Sequence, residues 1–535
     1  MTSKASRALL IAATTFLAAR LFLSFILPAW NAVSTDFPNY YTASWALMHG
    51  EDLRSLYDPV AFNVIAARAG IRDVAVLFNY FPPLSAVLTV PVVAFSPLNA
   101  LRIWILVNLV ALGALVYLVS RHSGLGFLQT TFVALLAGDA LGNNFVFGQV
   151  YLPLAVLLLL GFVWADSRPK ASGFVLAFAV AIKVFPVVFL LYLVCQKRWK
   201  ALACTGLCLA ALVGVSVLAL GWEAHRIYLI EALPRMMRGE VQDPYHVGWN
   251  QLQSLLRRSL VPEPSLNPHP LFDAPAAFFF LKVVLNLVIL WLSGMALRDR
   301  RMKPLLAFNV LFLAVSLTSP GQASYHYVLL IPGMAMLASS SRNAMRIASV
   351  VGLALICSSG LDTARMSAVL LLWAGFIWWI RPRMSWAAVT VIAIVGAIAS
   401  SSEMRRWQAD EIDGAVMAAP EQHGFVEVEP RFTSAGLEFK SMVATGWATR
   451  SIALPEQSAS ATDVQKNWSV YSTFERGNWD VGVKDLRTGQ TRILTSSLAN
   501  DFMPVLSPDG REVFFASDRR RGYRFTAIYR MPIPR

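Results

Sequence analysis

Two ionisable residues lie where an apolar chain ordinarily carries none. Asp36 follows the first apolar run, and Lys183 interrupts a later run at Lys183-Val184-Phe185-Pro186. A fixed carboxylate can take a proton from an attacking hydroxyl, and a cation can stabilise a departing phosphate. Asp36 is therefore a candidate general base, unless it is a solvated residue or a helix N-cap. Lys183 is a candidate phosphate ligand, unless its ammonium only reaches to the membrane interface.

Further charges lie in or beside the apolar runs. Arg20 falls in the middle of the first run, so it must face a bundle interior or an acidic partner. Asp139 is either that partner or a second catalytic carboxylate. Arg257 and Arg258 supply the remaining cations, which bind either substrate or lipid headgroups.

Tyrosines accumulate in the first long loop. Tyr40, Tyr41, Tyr57 and Tyr80 carry rings that stack on sugars, although membrane-interface belts also collect tyrosine. The long loops contain no Asp-x-Asp pair, no metal-ligand spacing of His and Asp, and no nucleotide-phosphate loop. These absences favour a lipid-phosphate donor and a reaction that needs neither a metal nor a cofactor.

Apolar helices are the elements that must position these residues. Of the 535 residues, 56% are hydrophobic and 15% are charged, against about 25% charged in an average soluble domain. The apolar runs predict a polytopic α-helical membrane protein with roughly 11 spans. They lie near residues 8–29, 101–120, 125–142, 149–165, 201–220, 275–297, 304–319, 324–338, 344–359, 366–381 and 385–401.

The charge pattern predicts the topology. Residues 1–401 carry 29 Lys+Arg against 15 Asp+Glu, which is the entire net charge of +14. Because these basic residues lie in short loops between runs, they indicate cytoplasmic loops rather than nucleic-acid binding. The pattern predicts a multi-pass protein of the inner membrane with a cytoplasmic N-terminus. The C-terminus then lies outside, provided that two irregular segments do not cross.

Those two segments contain breaks. Residues 79–97 carry four prolines and predict a broken or interfacial helix pair. Residues 171–195 have basic flanks at both ends, which predicts a short hairpin with Lys183 at its turn. Irregular backbone at membrane depth is tolerated where it lines protein or a watery cavity, so Lys183 is expected to face a cavity.

Residues 402–535 differ from the apolar domain of residues 1–401. They carry 17 basic and 17 acidic residues and alternate as strands around residues 468–472 and 479–483. Residues 430–439 parallel residues 504–515, where Pro508-Asp509-Gly510 forms a turn. This repeat resembles the blade of TolB-type β-propellers, and about three blades fit the length. We expect a small all-β domain outside the membrane.

An ordered set of motifs runs through residues 8–380 and resembles glycosyltransferase family 87. The motifs are Asp36-Phe37-Pro38-Asn39-Tyr40-Tyr41, Tyr80-Phe81-Pro82-Pro83-Leu84, Gly148-Gln149-Val150-Tyr151, Trp249-Asn250-Gln251 and Ser319-Pro320 with Ser324-Tyr325-His326. Two departures are Tyr151, where the family usually has Asn, and the loosened segment 321–325.

The resemblance implies a GT-C fold and an inverting polyprenyl-phosphate-mannose-dependent transferase. It implies that Asp36 is the catalytic base. It further implies a set of substrate-binding residues, namely Tyr40, Tyr41, Tyr80, Gln149, Lys183, Asn250, Gln251, Arg257 and His326.

The expected function is transfer of a hexose, mannose, from a lipid-linked donor to a glycan, glycolipid or protein on the outer face. The expected partners are that donor, membrane lipids and the acceptor, without nucleic acid. A transporter or flippase of lipid-linked sugars is the alternative, although such proteins tend to show internal span repeats and the sequence has no half-to-half repeat. A membrane-anchored binding module would leave most of the spans unexplained.

Overall fold

The computed structural model shows a helical chain up to Ala409 and a β region from Val416 onwards. It describes residues 4–534 except for residues 72–73, 75, 79–80, 240–244, 246–250, 263–266, 300–301, 359–361, 381–385, 410–413, 419–424, 427–430, 434–435, 444–445, 453–466, 476–477, 498 and 520–525.

Long apolar helices form the frame. Among the described residues, five are long and apolar enough to cross a membrane: Lys4–Asn31, Pro97–Ser123, Trp199–Leu220, Pro275–Leu297 and Ala387–Arg405. They leave large apolar side chains such as Leu9, Leu207 and Leu218 exposed. Lipid accommodates such side chains and water does not. The structure confirms a multi-pass helical membrane protein with a small C-terminal β region.

Shorter helices fill the space between the long ones. They are Phe127–Leu135, Gly138–Val146, Tyr151–Trp164, Pro169–Ile182, Phe185–Leu190, Leu191–Cys195, Pro304–Thr318, Ser324–Leu330, Ile331–Ala338, Asn343–Cys357 and Asp362–Ile380. Pro304–Thr318 is buried along nearly its whole length, so it lies at the centre of the bundle.

The prediction of a full span near residues 125–142 is wrong. Two helices, Phe127–Leu135 and Gly138–Val146, divide this segment, and Gly138 at the break has φ +44°. Gly138–Val146 also meets Tyr151–Trp164 at 115°. Hydropathy measures only how apolar a segment is, so it does not reveal a turn made by glycine at positive φ.

Two long connections join the spans. The first connection, residues 32–96, contains Phe37–Met48, Leu53–Tyr57, Pro59–Arg68, Pro83–Val87 and Val90–Val92. The second connection, residues 221–274, contains Trp222–Ile227, Tyr228–Ala232, Leu233–Arg238 and Leu252–Leu260. The short, broken helices in residues 83–92 confirm the predicted break in this segment, whose residues 79–80 lie outside the described residues.

The hairpin predicted at residues 171–195 is confirmed. Arg198, just after it, pairs with Asp166, just before it, at 2.8 Å. The ring of Tyr192 near its end stacks on Phe162 at 4.2 Å. The segment therefore returns to the side from which it starts. Lys183 lies at the break between Pro169–Ile182 and Phe185–Leu190.

The β region consists of antiparallel strands. The described strands are Val416–Met417, Phe425–Val426, Arg431–Thr433, Gly436–Val443, Gly446–Ile452, Trp468–Glu475, Asn478–Asp485, Thr491–Ile493, Asp501–Leu506, Glu512–Ser517 and Ala527–Pro532. They form three small sheets in the part of the chain that the structure describes.

Most strands pair with a neighbour in the chain, whereas Val416–Met417 pairs with the last strand, Ala527–Pro532. The two repeated segments form equivalent hairpins. Arg431–Thr433 pairs with Gly436–Val443, as Asp501–Leu506 pairs with Glu512–Ser517. The predicted strands around residues 468–472 and 479–483 are confirmed. The propeller interpretation stays a prediction.

Candidate active site

Asp36 lies in a strained turn between the first long helix and Phe37–Met48. Its backbone has φ +70° and ψ −57°, the rare positive-φ form of a γ-turn. The amide of Phe37 donates to the carbonyl oxygens of Thr35 and Phe147, each at 2.9 Å. A non-glycine residue in such a conformation costs about 1–3 kcal/mol, which its surroundings must offset. The turn therefore fixes where the Asp36 side chain points.

Gln149 orients the carboxylate. Its Nε2 donates to Oδ2 of Asp36 at 2.7 Å, and its Oε1 accepts from the Tyr40 hydroxyl at 3.3 Å. Burial raises the pKa of Tyr40 well above its ordinary 10, so this hydroxyl keeps its proton and donates. The orientation of the amide follows, with its nitrogen towards Asp36.

Gly148 brings Gln149 to Asp36. Its φ of +58° turns the chain between two helices, and a Cβ there would lie 2.6 Å from Cβ of Phe37. The indole of Trp104 donates to its carbonyl oxygen at 2.8 Å. Only glycine permits both this backbone conformation and this close approach.

Lys183 is buried against aromatic rings. Its Nζ lies 3.9 Å from the ring centre of Phe81 and 5.6 Å from those of Tyr40 and Tyr151. In the described part of the chain no carboxylate lies within 4 Å of this ammonium. Aromatic faces compensate a buried cation only in part, so an anionic ligand would be favoured here.

Tyr40 links Asp36 and Lys183 in one site. Its hydroxyl donates to the Gln149 amide that holds Asp36, and its ring lies 5.6 Å from Nζ of Lys183. The turn that carries Lys183 is held from the first connection, because Ser85 Oγ donates to the carbonyl oxygen of Ile182 at 2.8 Å. A proton acceptor and a cation thus lie in one enclosed region, fixed by three separate segments of the chain.

His326 reaches the same site through Tyr151. Its ring meets that of Tyr151 edge to face at 4.4 Å, and the Tyr151 ring lies 5.6 Å from Nζ of Lys183. Its Nδ1 lies 2.8 Å from the carbonyl oxygen of Ala323, so Nδ1 carries the proton that it donates there. This tautomer leaves Nε2 for a substrate group.

Other predicted binding residues do not meet at this site. Tyr41 donates to the carbonyl oxygen of Phe95 at 2.7 Å and so joins two segments of the first connection. Gln251 donates to the carbonyl oxygen of Gln322 at 3.3 Å. Within the described part of the chain, neither side chain bonds to Asp36, Lys183 or His326.

Arg257 is buried in the second connection between the rings of Tyr245 and Phe278, at 5.5 and 5.6 Å. Its Nε has no hydrogen-bond partner in the described part of the chain. Predicted site residues Tyr80 and Asn250 lie outside the described residues.

Asp139 pairs with Arg20 at 2.5 Å, so the structure shows the first of the two alternatives for this residue. This pairing favours a structural role over a second catalytic carboxylate. No three His, Cys, Asp or Glu side chains within the described ranges come close enough to hold a metal ion.

Two residues of the site were absent from the predicted set. Tyr151 contacts both Lys183 and His326, and Phe81 gives Lys183 its nearest ring. Both lie within the motifs quoted above, where Tyr151 departs from the family pattern. The intramembrane lysine was itself the signal, because a buried cation needs aromatic or acidic neighbours.

Part of the helical domain is similar to known proteins. Residues 78–320 match the model of glycosyltransferase family 87. That segment contains Gln149 and Lys183, whereas Asp36 and His326 lie outside it. The match leaves out the β region.

Two curated mycobacterial proteins are similar to the chain. Both are described as polyprenol-phosphate-mannose-dependent alpha-(1-2)-phosphatidylinositol pentamannoside mannosyltransferases. The one from Mycolicibacterium smegmatis is 27% identical over 294 residues, which cover 52% of this chain and 65% of the relative. The one from Mycobacterium tuberculosis is 28% identical over 276 residues, covering 49% and 58%. The chain thus spans less than two thirds of the length of either relative.

Among solved structures, ArnT from Cupriavidus metallidurans bound to undecaprenyl phosphate is similar at a TM-score of 0.37 and 14% identity. The similarity covers 77% of this chain and 80% of ArnT. The matched family and both curated relatives are glycosyltransferases, which supports the transferase interpretation. The transporter alternative has no support.

Proposed function

We propose that this protein is a membrane glycosyltransferase that moves mannose from a polyprenyl phosphate to an acceptor hydroxyl. One observation carries the proposal: Gln149 and Tyr40 connect the oriented carboxylate of Asp36 to the buried ammonium of Lys183. The site therefore holds both a proton acceptor and a cation for a phosphate leaving group.

In the proposed reaction the acceptor oxygen attacks the anomeric carbon of the donor sugar. The bond from that carbon to the phosphate oxygen breaks, and the hydroxyl proton passes to Asp36. Polyprenyl phosphate leaves with its charge stabilised by Lys183. A single displacement of this kind inverts the anomeric configuration, and it needs only one carboxylate.

His326 is proposed to bind the phosphate or the acceptor with Nε2. A protonated ring would donate to a phosphate oxygen, whereas a neutral ring would accept from a hydroxyl. Tyr151 keeps the imidazole beside Lys183 in either case.

The proposed orientation places the N-terminus in the cytoplasm and the β region outside the inner membrane. The Arg198–Asp166 ion pair supports it, because it brings the basic clusters at both ends of the hairpin to one side. All short basic loops then lie on the cytoplasmic side, as the positive-inside rule requires.

Mannose is proposed as the sugar because both curated relatives are named for that donor. The acceptor is proposed to be a glycan, glycolipid or protein on the outer face. The relatives' phosphatidylinositol acceptor is one member of this class.

The test is transfer by the purified protein in proteoliposomes with defined polyprenyl-phosphate sugars. We expect mannose to leave the donor, and Lys183→Met to raise the donor KM far more than it lowers thermal stability. Lys170→Met is the matched control, because Lys170 is exposed at the start of the same hairpin. Release of no sugar from any donor would contradict the proposal.

The orientation has its own test. A cysteine replacing the exposed Leu486 of the β region is probed with a membrane-impermeant maleimide. The background replaces the native cysteines, Cys195, Cys204, Cys208 and Cys357. Labelling in intact cells supports an outward β region, and labelling only after lysis contradicts it.

A further inference from the structure

Among the described residues, the β region makes a specific polar contact with each long connection. The indole Nε1 of Trp479 donates to Oδ2 of Asp58 in the first connection at 3.1 Å. Arg235 of the second connection pairs with Asp518 of the β region at 2.8 Å. These two contacts therefore hold the β region against both the first and the second connection.

The contact with the second connection is buried. The side chains of Arg235 and Asp518 are 6% and 1% exposed. Asp518 also accepts from the backbone amide of Asn500 at 2.8 Å and from its side-chain amide at 3.0 Å. A buried ion pair with its remaining lone pairs satisfied allows little displacement of either partner.

In the contact with the first connection, Trp479 bonds to a residue that caps a helix, Asp58. Oδ1 of Asp58 accepts from the amide of Ala61 at 3.1 Å, at the start of Pro59–Arg68. Oδ2 of the same carboxylate accepts from Trp479. Trp479 therefore fixes the residue at which this helix begins, and with it the neighbouring Tyr57.

Tyr57 carries this constraint towards the active site. It is buried, and its hydroxyl donates to the carbonyl oxygen of Phe81 at 2.9 Å. Its ring also lies 5.7 Å from that of Tyr228 in the second connection. The ring of Phe81 in turn lies 3.9 Å from Nζ of Lys183.

We propose that the β region positions Lys183 for the donor phosphate. Trp479 acts through Asp58 and Tyr57 on Phe81, whose ring is the aromatic group nearest to the Lys183 ammonium. Trp479 is thus a positioning residue, more than 290 positions from Lys183 in the sequence. This inference rests on the proposed function, because it assumes that Lys183 binds the phosphate of a lipid-linked sugar.

Trp479→Phe tests the inference, since it keeps an aromatic ring but removes the indole N–H. The matched control is Trp468→Phe, because Trp468 begins the neighbouring strand and packs within the β region. The readouts are the Kd for a short-chain polyprenyl phosphate in detergent and the kcat and KM of transfer. We expect Trp479→Phe to raise the Kd about tenfold, which is the size of effect that a hydrogen bond to a charged group contributes. We expect kcat/KM to fall at least as far, because Lys183 also stabilises the departing phosphate. Trp468→Phe is expected to leave both unchanged.

A second variant keeps the inference falsifiable if Trp479→Phe loses thermal stability. Tyr57→Phe removes the bond to Phe81 and is expected to raise Kd by a similar factor. Because both residues act on one path, the double variant is expected to match either single variant. An unchanged Kd in both single variants would overturn the inference. So would a double variant whose Kd rises by the product of the two single-variant factors.

The Kd for polyprenyl phosphate distinguishes failure of the proposed reaction from failure of the proposed role of the β region. If the wild-type protein bound polyprenyl phosphate but transferred no sugar, the proposed reaction would be wrong. The Kd ratios of the variants would still decide whether the β region positions Lys183.

Discussion

The side-chain amide of Gln149 donates a hydrogen bond of 2.7 Å to Oδ2 of Asp36, across 113 positions of the chain. An amide does not take up a proton, so it orients the carboxylate without competing for the proton of a substrate. The Tyr40 hydroxyl holds the other end of the amide. The turn at Asp36 thus fixes the backbone of the proposed base, and the hydrogen bond from Gln149 fixes its side chain.

Gly148→Ala is expected to disrupt this arrangement. The new Cβ would lie 2.6 Å from Cβ of Phe37, at a residue whose φ is +58°. Overpacking of this kind costs about 1–3 kcal/mol, and moves Gln149 away from Asp36. Thermal unfolding and transfer assays measure the two effects.

Gly113→Ala is the matched control, because a Cβ there meets nothing within 4 Å on the helix Pro97–Ser123. Alanine at such a helical position is neutral or stabilising by up to about 1 kcal/mol. Equal unfolding temperatures and equal activity for the two variants would contradict the close approach at Gly148.

Sequence patterns singled out the charged residues that lie in the candidate site. Asp36 and Lys183 stand out because ionisable groups are rare beside apolar runs, and Arg20 demanded the acidic partner that Asp139 supplies. The doubled basic flank predicted the hairpin, since the positive-inside rule constrains both of its ends at once.

Other features lay beyond sequence patterns. The break at Gly138 depends on a local backbone conformation that hydropathy does not measure. The contacts of Trp479 with Asp58 and of Arg235 with Asp518 join segments without any shared periodicity. Only the packing of the β region on the helices brings these residues together.

Arg235→Met is expected to destabilise the docking of the β region. It leaves the buried carboxylate of Asp518 without its cation, and breaking such a pair costs about 3–5 kcal/mol. The control is Arg54→Met, because the Arg54–Asp52 pair is 66% and 50% exposed. Exposed pairs contribute about 0–1 kcal/mol. Thermal unfolding measures both variants. A fall in unfolding temperature for Arg235→Met that is no larger than that for Arg54→Met would contradict the buried contact.

The stability of this junction is expected to depend on pH. Burial raises the pKa of Glu231 from 4.5 to about 7, against the opposing effect of Arg235 and Arg226 and with a further rise from Asp518. The folded protein therefore keeps a proton that the unfolded chain releases above about pH 4.5. Stability should fall as the pH rises from 4.5 through 7.

Glu231→Gln should remove this fall, because the amide stays neutral at every pH. Glu223→Gln on the same helical stretch is the control, since Glu223 is half-exposed and paired with Arg226. The measurement is the unfolding midpoint from pH 5 to pH 8. A wild-type midpoint that rises over this range would refute the assignment.

The most direct test of the account is mannose transfer from polyprenyl-phosphate mannose by the Asp36→Asn variant in proteoliposomes. The amide keeps the shape of the side chain but takes no proton, so we expect a loss of about 10²–10⁴-fold in kcat at normal abundance and stability. Asp52→Asn in the same connection, where the carboxylate is half-exposed, should retain full activity. Turnover by Asp36→Asn close to that of the wild-type protein would contradict the central claim that Asp36 is the catalytic base.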